Sequence, residues 1–143
     1  MKNKSLTAKI LTYAGTLPFL FAGIGQFFID DIFGIDLVTI ATAYGAIIVS
    51  FVAGIHWGVF LFKDSPMNLF IHSNVIALLS WSSLLVPAIA GFFILAASFV
   101  YLILIDLTLK KKEIIEPWFF QIRLQATLIA IVTLTLNIFG LMM

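Results

Sequence analysis

The chain contains no cysteine, which excludes disulfides, thiol nucleophiles, iron–sulfur clusters and covalent haem attachment through cysteine. Charge is nearly as scarce. Charged residues make up 10% of the 143, with 8 Lys and Arg against 7 Asp and Glu, for a formal net charge of +1. Nucleic-acid binding requires a clustered basic face to neutralise phosphates, so this balance argues against it. Catalytic signatures are missing too. Gly-x-Ser-x-Gly, His-Glu-x-x-His, the P-loop and Gly-x-Gly-x-x-Gly are all absent, which leaves hydrolase, kinase and dinucleotide chemistry without an anchor and gives no indication of an enzyme.

Apolar sequence takes the place of all this. Hydrophobic residues make up 62% and the mean hydropathy is +1.16, far outside the range of soluble domains. Several runs exceed the ~18 residues that signal a spanning helix. The expected fold is an all-α integral membrane protein, a single domain over residues 1–143, built as a bundle of five transmembrane helices in contact with the lipid bilayer.

A basic tail with Lys2, Lys4 and Lys9 precedes the first span, placed at about 10–29. A signal peptide shares this basic start and apolar core, but there is no clean small-x-small cleavage site. Pro18 should kink the span, with Thr16 and neighbouring helices satisfying the freed carbonyl. An acidic loop with Asp30, Asp31 and Asp36 leads to the second span, at 37–62, which ends at Lys63-Asp64-Ser65-Pro66. Residues 69–109 have no strong polar loop but are too long for one bilayer crossing, so the chain must turn near Val86-Pro87. This gives spans at 69–86 and 88–109. The charged loop from Lys110 to Glu116 follows, and Pro117 and Trp118 open a last span at 118–142.

With the N-terminus inside and five spans, all 8 Lys and Arg fall on the inner side and the C-terminus falls outside, as the positive-inside rule requires. A four-span alternative, with 69–109 re-entrant or tilted, separates Lys110–Lys112 from the basic tail. The five-span topology gathers His56, His72, Asn74, Asp106 and Arg123 in the inner half. A charge buried in hydrocarbon needs a partner, and Asp106 and Arg123 lie at similar depth on adjacent helices. Either they pair, or Asp106 faces headgroups while Arg123 snorkels. His56 is deeper, about 10 Å from the inner end of its helix. It either bonds a neighbour's carbonyl or hydroxyl, or accepts a proton or ligand. His56, His72 and Asp106 lack the spacing of a metal site, and the two histidines differ in depth, which disfavours axial haem ligation. Neither metal nor other cofactor is expected.

On the second helix Ser50, Gly54 and Gly58 form a small-residue stripe suited to close helix packing, with His56 on the opposite face beside Gly45, Val49 and Val52. The stripe should pack on another helix. Binding candidates are His56, Trp57, Tyr44, Asp106, Arg123 and Asn74.

Leu17-Pro18-Phe19, Tyr44-Gly45-Ala46, Ser50-Phe51, Gly54-Ile55-His56-Trp57-Gly58, and Arg123 after Trp118 together resemble the transmembrane protein 69-like family, domain of unknown function 3429. The resemblance covers almost the whole chain. It implies a small multi-pass protein of the bacterial inner membrane, or of mitochondria in eukaryotes, and implies no activity. Two functional readings follow. In the first, the chain is a structural or assembly subunit, packing as a homo-oligomer or against a membrane-protein partner. In the second, it binds or transports a small molecule, with or without a proton, at an inner-side polar cavity around His56.

Overall fold

The computed structural model describes residues 2–143, so Met1 of the expected basic tail lies outside it, and of Lys2 only the backbone is described. The elements are α1 (Lys2–Ala14), α2 (Leu17–Gly25), β1 (Asp31–Ile32), β2 (Ile35–Asp36), α3 (Leu37–Phe62), α4 (Leu69–Ser82), α5 (Ala88–Lys111) and α6 (Pro117–Met142). Among the described residues four stretches are long and apolar enough to cross a membrane, namely Asn3–Gly25 across α1 and α2, then α3, α5 and α6; α4 is a shorter apolar helix.

The first stretch departs from the expected 10–29. It starts earlier, ends at Gly25 and consists of two helices. Pro18 lacks an N–H, and its ring crowds the carbonyl four residues back, so one helix cannot run through Ala14 to Leu20. Thr16 becomes the N-cap residue of α2 with Pro18 in the first turn. The carbonyls loosened by the break find partners. Thr16 Oγ1 donates to Tyr13 O at 2.7 Å, and the Tyr44 hydroxyl of α3 donates to Gly15 O at 2.7 Å.

The acidic loop folds as a small hairpin, with Asp31 opposite Asp36 and Ile32 opposite Ile35. Its two tip residues, Phe33 and Gly34, have φ of 55° and 78°, the pair of positive angles that a tight hairpin turn requires. Asp36 then caps α3: Oδ1 accepts from Thr39 N at 2.8 Å and Oδ2 from the Thr39 hydroxyl at 2.7 Å. These bonds, the hydroxyl's first, hold the Asp36 carboxyl below the usual aspartate range. The cap therefore contributes stability above that range and loses it as pH falls through the lowered value.

Helix α4 ends at Ser82, short of the expected residue 86. Serine hydroxyls satisfy carbonyls of its last turn, Ser82 Oγ donating to Leu79 O and Ser83 Oγ to Ser80 O. Leu84 and Leu85 continue only as single turns. Pro87 is the N-cap residue of α5, so the chain reverses where the sequence placed the turn. Gly91 makes that reversal possible. A Cβ there would lie 2.6 Å from Ser83 O.

Helix α3 is central, packed on α2, α4 and α5, while α6 packs on α5, α2 and α1. Phe19, Val49, Val52, Phe92, Leu95, Phe99, Leu102 and Leu134 fill the core between them. Lipid tails are as apolar as these side chains, so association rests on van der Waals fit and interhelical hydrogen bonds. One such bond runs from Ser80 Oγ to Ala46 O at 2.8 Å. Long-range contacts set the direction of each helix. Lys63 Nζ donates to Ile114 O at 2.7 Å, and the Tyr13 hydroxyl meets Gln125. At the far end Gln26 Nε2 donates to Leu136 O at 3.1 Å. Lys4, Lys9, Lys63, Lys110–Lys112 and Arg123 thus lie toward one end of the bundle, and the Asp31–Asp36 hairpin and the Pro87 turn toward the other.

The glycines of the Ser50/Gly54/Gly58 stripe meet no other helix of the same chain. No atom comes within 4 Å of a Cβ built at Gly54 or Gly58, and Gly54 is exposed. Helix α4 packs on α3 at Ala46 and again at Trp57 and Phe60. Close glycine contacts within the chain include those of Gly23, Gly45, Gly91 and Gly140. Gly91→Ala is expected to destabilise the protein by about 1–3 kcal/mol, since a backbone oxygen must move. Gly54→Ala is expected to stabilise it by about 0.5–1 kcal/mol through reduced chain entropy. Thermal unfolding of the two variants in mild detergent tests the contrast.

Candidate functional site

Three helices each bring one polar side chain to the same point in the core. On α3, His56 lies on the face that also buries Gly45, Val49 and Val52. On α5, Asp106 follows the buried stripe Leu95, Phe99 and Leu102. On α6, Arg123 is near the start, one turn from Thr127. His56 and Asp106 are 1% exposed and Arg123 7%. His56 Nε2 meets Asp106 Oδ1 at 2.7 Å, and Arg123 Nε donates to Asp106 Oδ2 at 3.2 Å. A carboxylate only accepts, so Nε2 carries the proton in this contact.

The network leaves hydrogen-bonding capacity over. Arg123 Nη2, His56 Nδ1 and the Thr127 hydroxyl are buried without a partner. Two of these groups share a cavity of about 130 Å³ bounded by α1, α2, α3, α5 and α6, which Arg123 and Thr127 line together with apolar residues such as Phe19, Val52 and Phe99. His56 is not among the lining residues. It holds one oxygen of Asp106, whose other oxygen takes Arg123 Nε, and Nη2 of the guanidinium is left without a partner.

The sequence-derived candidates separate accordingly. His56, Asp106 and Arg123 come together, in place of the carbonyl or hydroxyl partner foreseen for His56. Tyr44 lies about 18 Å from His56 along α3 and serves the Gly15 carbonyl instead. Trp57 is 42% exposed and packs against Phe70 with ring centroids 4.4 Å apart. Asn74 is exposed, its amide donating to Phe70 O of its own helix. His72 is engaged elsewhere, its Nδ1 against the Tyr101 hydroxyl. No group of three or more His, Cys, Asp or Glu able to hold a metal occurs among the described residues. Thr127 escaped the sequence reading. The available signal was its spacing of four from Arg123, which puts both on one helix face.

Residues 5–139 match the family described as Protein of unknown function (DUF3429). The chain belongs to that family. Comparison with curated proteins and with solved structures gives no match. Within this DUF3429 chain the charged network and its cavity are therefore read from their own geometry.

Removing one member of a buried ion pair strands the other charge, at a cost of about 3–5 kcal/mol. Asp106→Leu and Arg123→Met are each expected to lower stability by that amount. The double variant should recover more than half of the loss, as measured by a thermal double-mutant cycle in detergent.

Proposed function

We propose that the chain is a five-span protein of the bacterial inner membrane, or of a mitochondrial membrane if its source is eukaryotic, with the N-terminus inside and the C-terminus outside. In this reading it binds a small molecule in the inner half of the bundle. The basic end and the acidic end of the helices support the orientation, since clustered Lys and Arg favour the cytoplasmic face. Introducing single cysteines tests it without background, because the chain has none of its own. An impermeant maleimide applied to intact spheroplasts should label Phe33→Cys and spare Lys112→Cys. The reverse pattern overturns the orientation.

The observation that carries the binding reading is the unpartnered Arg123 Nη2 in the wall of a 130 Å³ cavity. Ionisable groups inside a membrane bundle are costly and mark binding sites or pathways, and an unused buried guanidinium donor calls for an acceptor. The charge balance is local: Asp106 divides its two oxygens between His56 and Arg123, so the rest of the guanidinium has no counter-charge of its own. Native mass spectrometry of protein extracted in mild detergent tests the reading. A chain carrying one small non-covalent mass is expected; a bare chain under every extraction condition overturns it.

The second reading, an assembly subunit, rests on a different observation. The Gly54/Gly58 part of the small-residue stripe on α3 meets none of the chain's other helices, and small residues on a free face suit close approach by another helix. A dimer or a hetero-complex in the same spectra, lost in Gly54→Leu, is the result that favours it.

A further inference from the structure

We propose that the cavity beside Arg123 is a site for a single-chain amphiphile with a carboxylate head, taken up sideways from the bilayer. This inference rests on the binding reading above and names the ligand's chemistry. Both unused groups in the wall can donate. Arg123 Nη2 and the Thr127 hydroxyl are buried, unpartnered and four residues apart on one helix, so they can serve the two oxygens of one carboxylate together. Bonds to an ionised acceptor are the stronger kind for a guanidinium. Arg123 is the one charged residue among those lining the space. The remainder is chiefly apolar, which matches a hydrocarbon tail.

Size and outlet point the same way. A cavity of about 130 Å³ is close to the engineered ~150 Å³ cavity that holds benzene. It therefore accepts a carboxylate and the first few carbons, and is too small for a phospholipid head with two chains. The rest of the tail must leave the bundle. Leu11 of α1 and Phe51 of α3 both line the space and are each 66% exposed. Helix α1 rests mainly on α6, so the gap between α1 and α3 opens onto the surface that meets acyl chains. The head then sits on α6 and the tail passes between Leu11 and Phe51.

The test is saturable binding of tritiated laurate to the purified full-length chain in a neutral detergent, with methyl laurate and butyrate as competitors. One laurate per chain is expected, displaced at least tenfold more weakly by methyl laurate, which lacks the charge, and by butyrate, which lacks the tail. Thr127→Val removes a hydroxyl that has no partner in the protein and should weaken laurate tenfold or more without lowering the melting temperature. Ala126→Leu, which fills the cavity from α6, should abolish binding. Should the leucine variant fail to fold, the valine variant decides. Butyrate competing as well as laurate overturns uptake from the bilayer, and methyl laurate competing equally overturns the carboxylate. Wild-type affinity in a folded Thr127→Val overturns the site. A retained mass in the native spectra that is not a monocarboxylate overturns this ligand class while leaving the binding reading intact.

Discussion

The Asp106 carboxylate is the point on which this bundle turns. Its two oxygens are taken by His56 of α3 and Arg123 of α6, so one buried group on α5 ties three helices together at one depth. Apolar packing between helices in lipid tolerates small changes of rotation and register, because neighbouring side chains and lipid tails offer similar contacts. A buried carboxylate that must meet a guanidinium and an imidazole does not. The polar link thus specifies one arrangement of α3, α5 and α6, and misplacement exposes a bare charge to hydrocarbon.

Local backbone chemistry supplies the space beside that link. Pro18 splits the first stretch into α1 and α2, the Tyr44 hydroxyl satisfies the Gly15 carbonyl left at the break, and the two short helices take different neighbours. Helix α2 packs on both α3 and α6, whereas α1 rests mainly on α6. Gly15 and Thr16 at the break line the cavity, as do Arg123 and Thr127 across from them. A continuous helix in this position would not make the same opening. The break and the charged network are separate in sequence and meet only at the cavity.

His56 shows how a role shifts when geometry is known. Its depth made it the most prominent polar residue of the chain, yet it is not among the residues lining the cavity beside Arg123. Its contribution is to hold one oxygen of Asp106, which leaves the other for Arg123 Nε and sets the direction of the guanidinium. Arg123, placed near the start of its helix, is the residue that faces open space. Thr127, an unremarked hydroxyl in an apolar helix, stands beside it.

Much was legible in the chain itself. Most helix positions, most breaks and the separation of basic from acidic ends follow from local rules of apolar run length, proline and capping chemistry, while the cost of an unpaired charge in hydrocarbon made the pairing of Asp106 with Arg123 one of two readings. Helical periodicity also put His56 on the buried face of α3, since burial follows the same period. What the sequence could not determine was which faces meet. Whether Ser50, Gly54 and Gly58 contact a helix of the same chain, which of Tyr44, Trp57 and Asn74 approach the charged network, and where space remains unfilled all depend on the rotation and offset of whole helices. Those are set by long-range packing, in which residues such as Gly45 and Leu95 or Gly91 and Ser83 either fit or clash, and only the tertiary structure decided them.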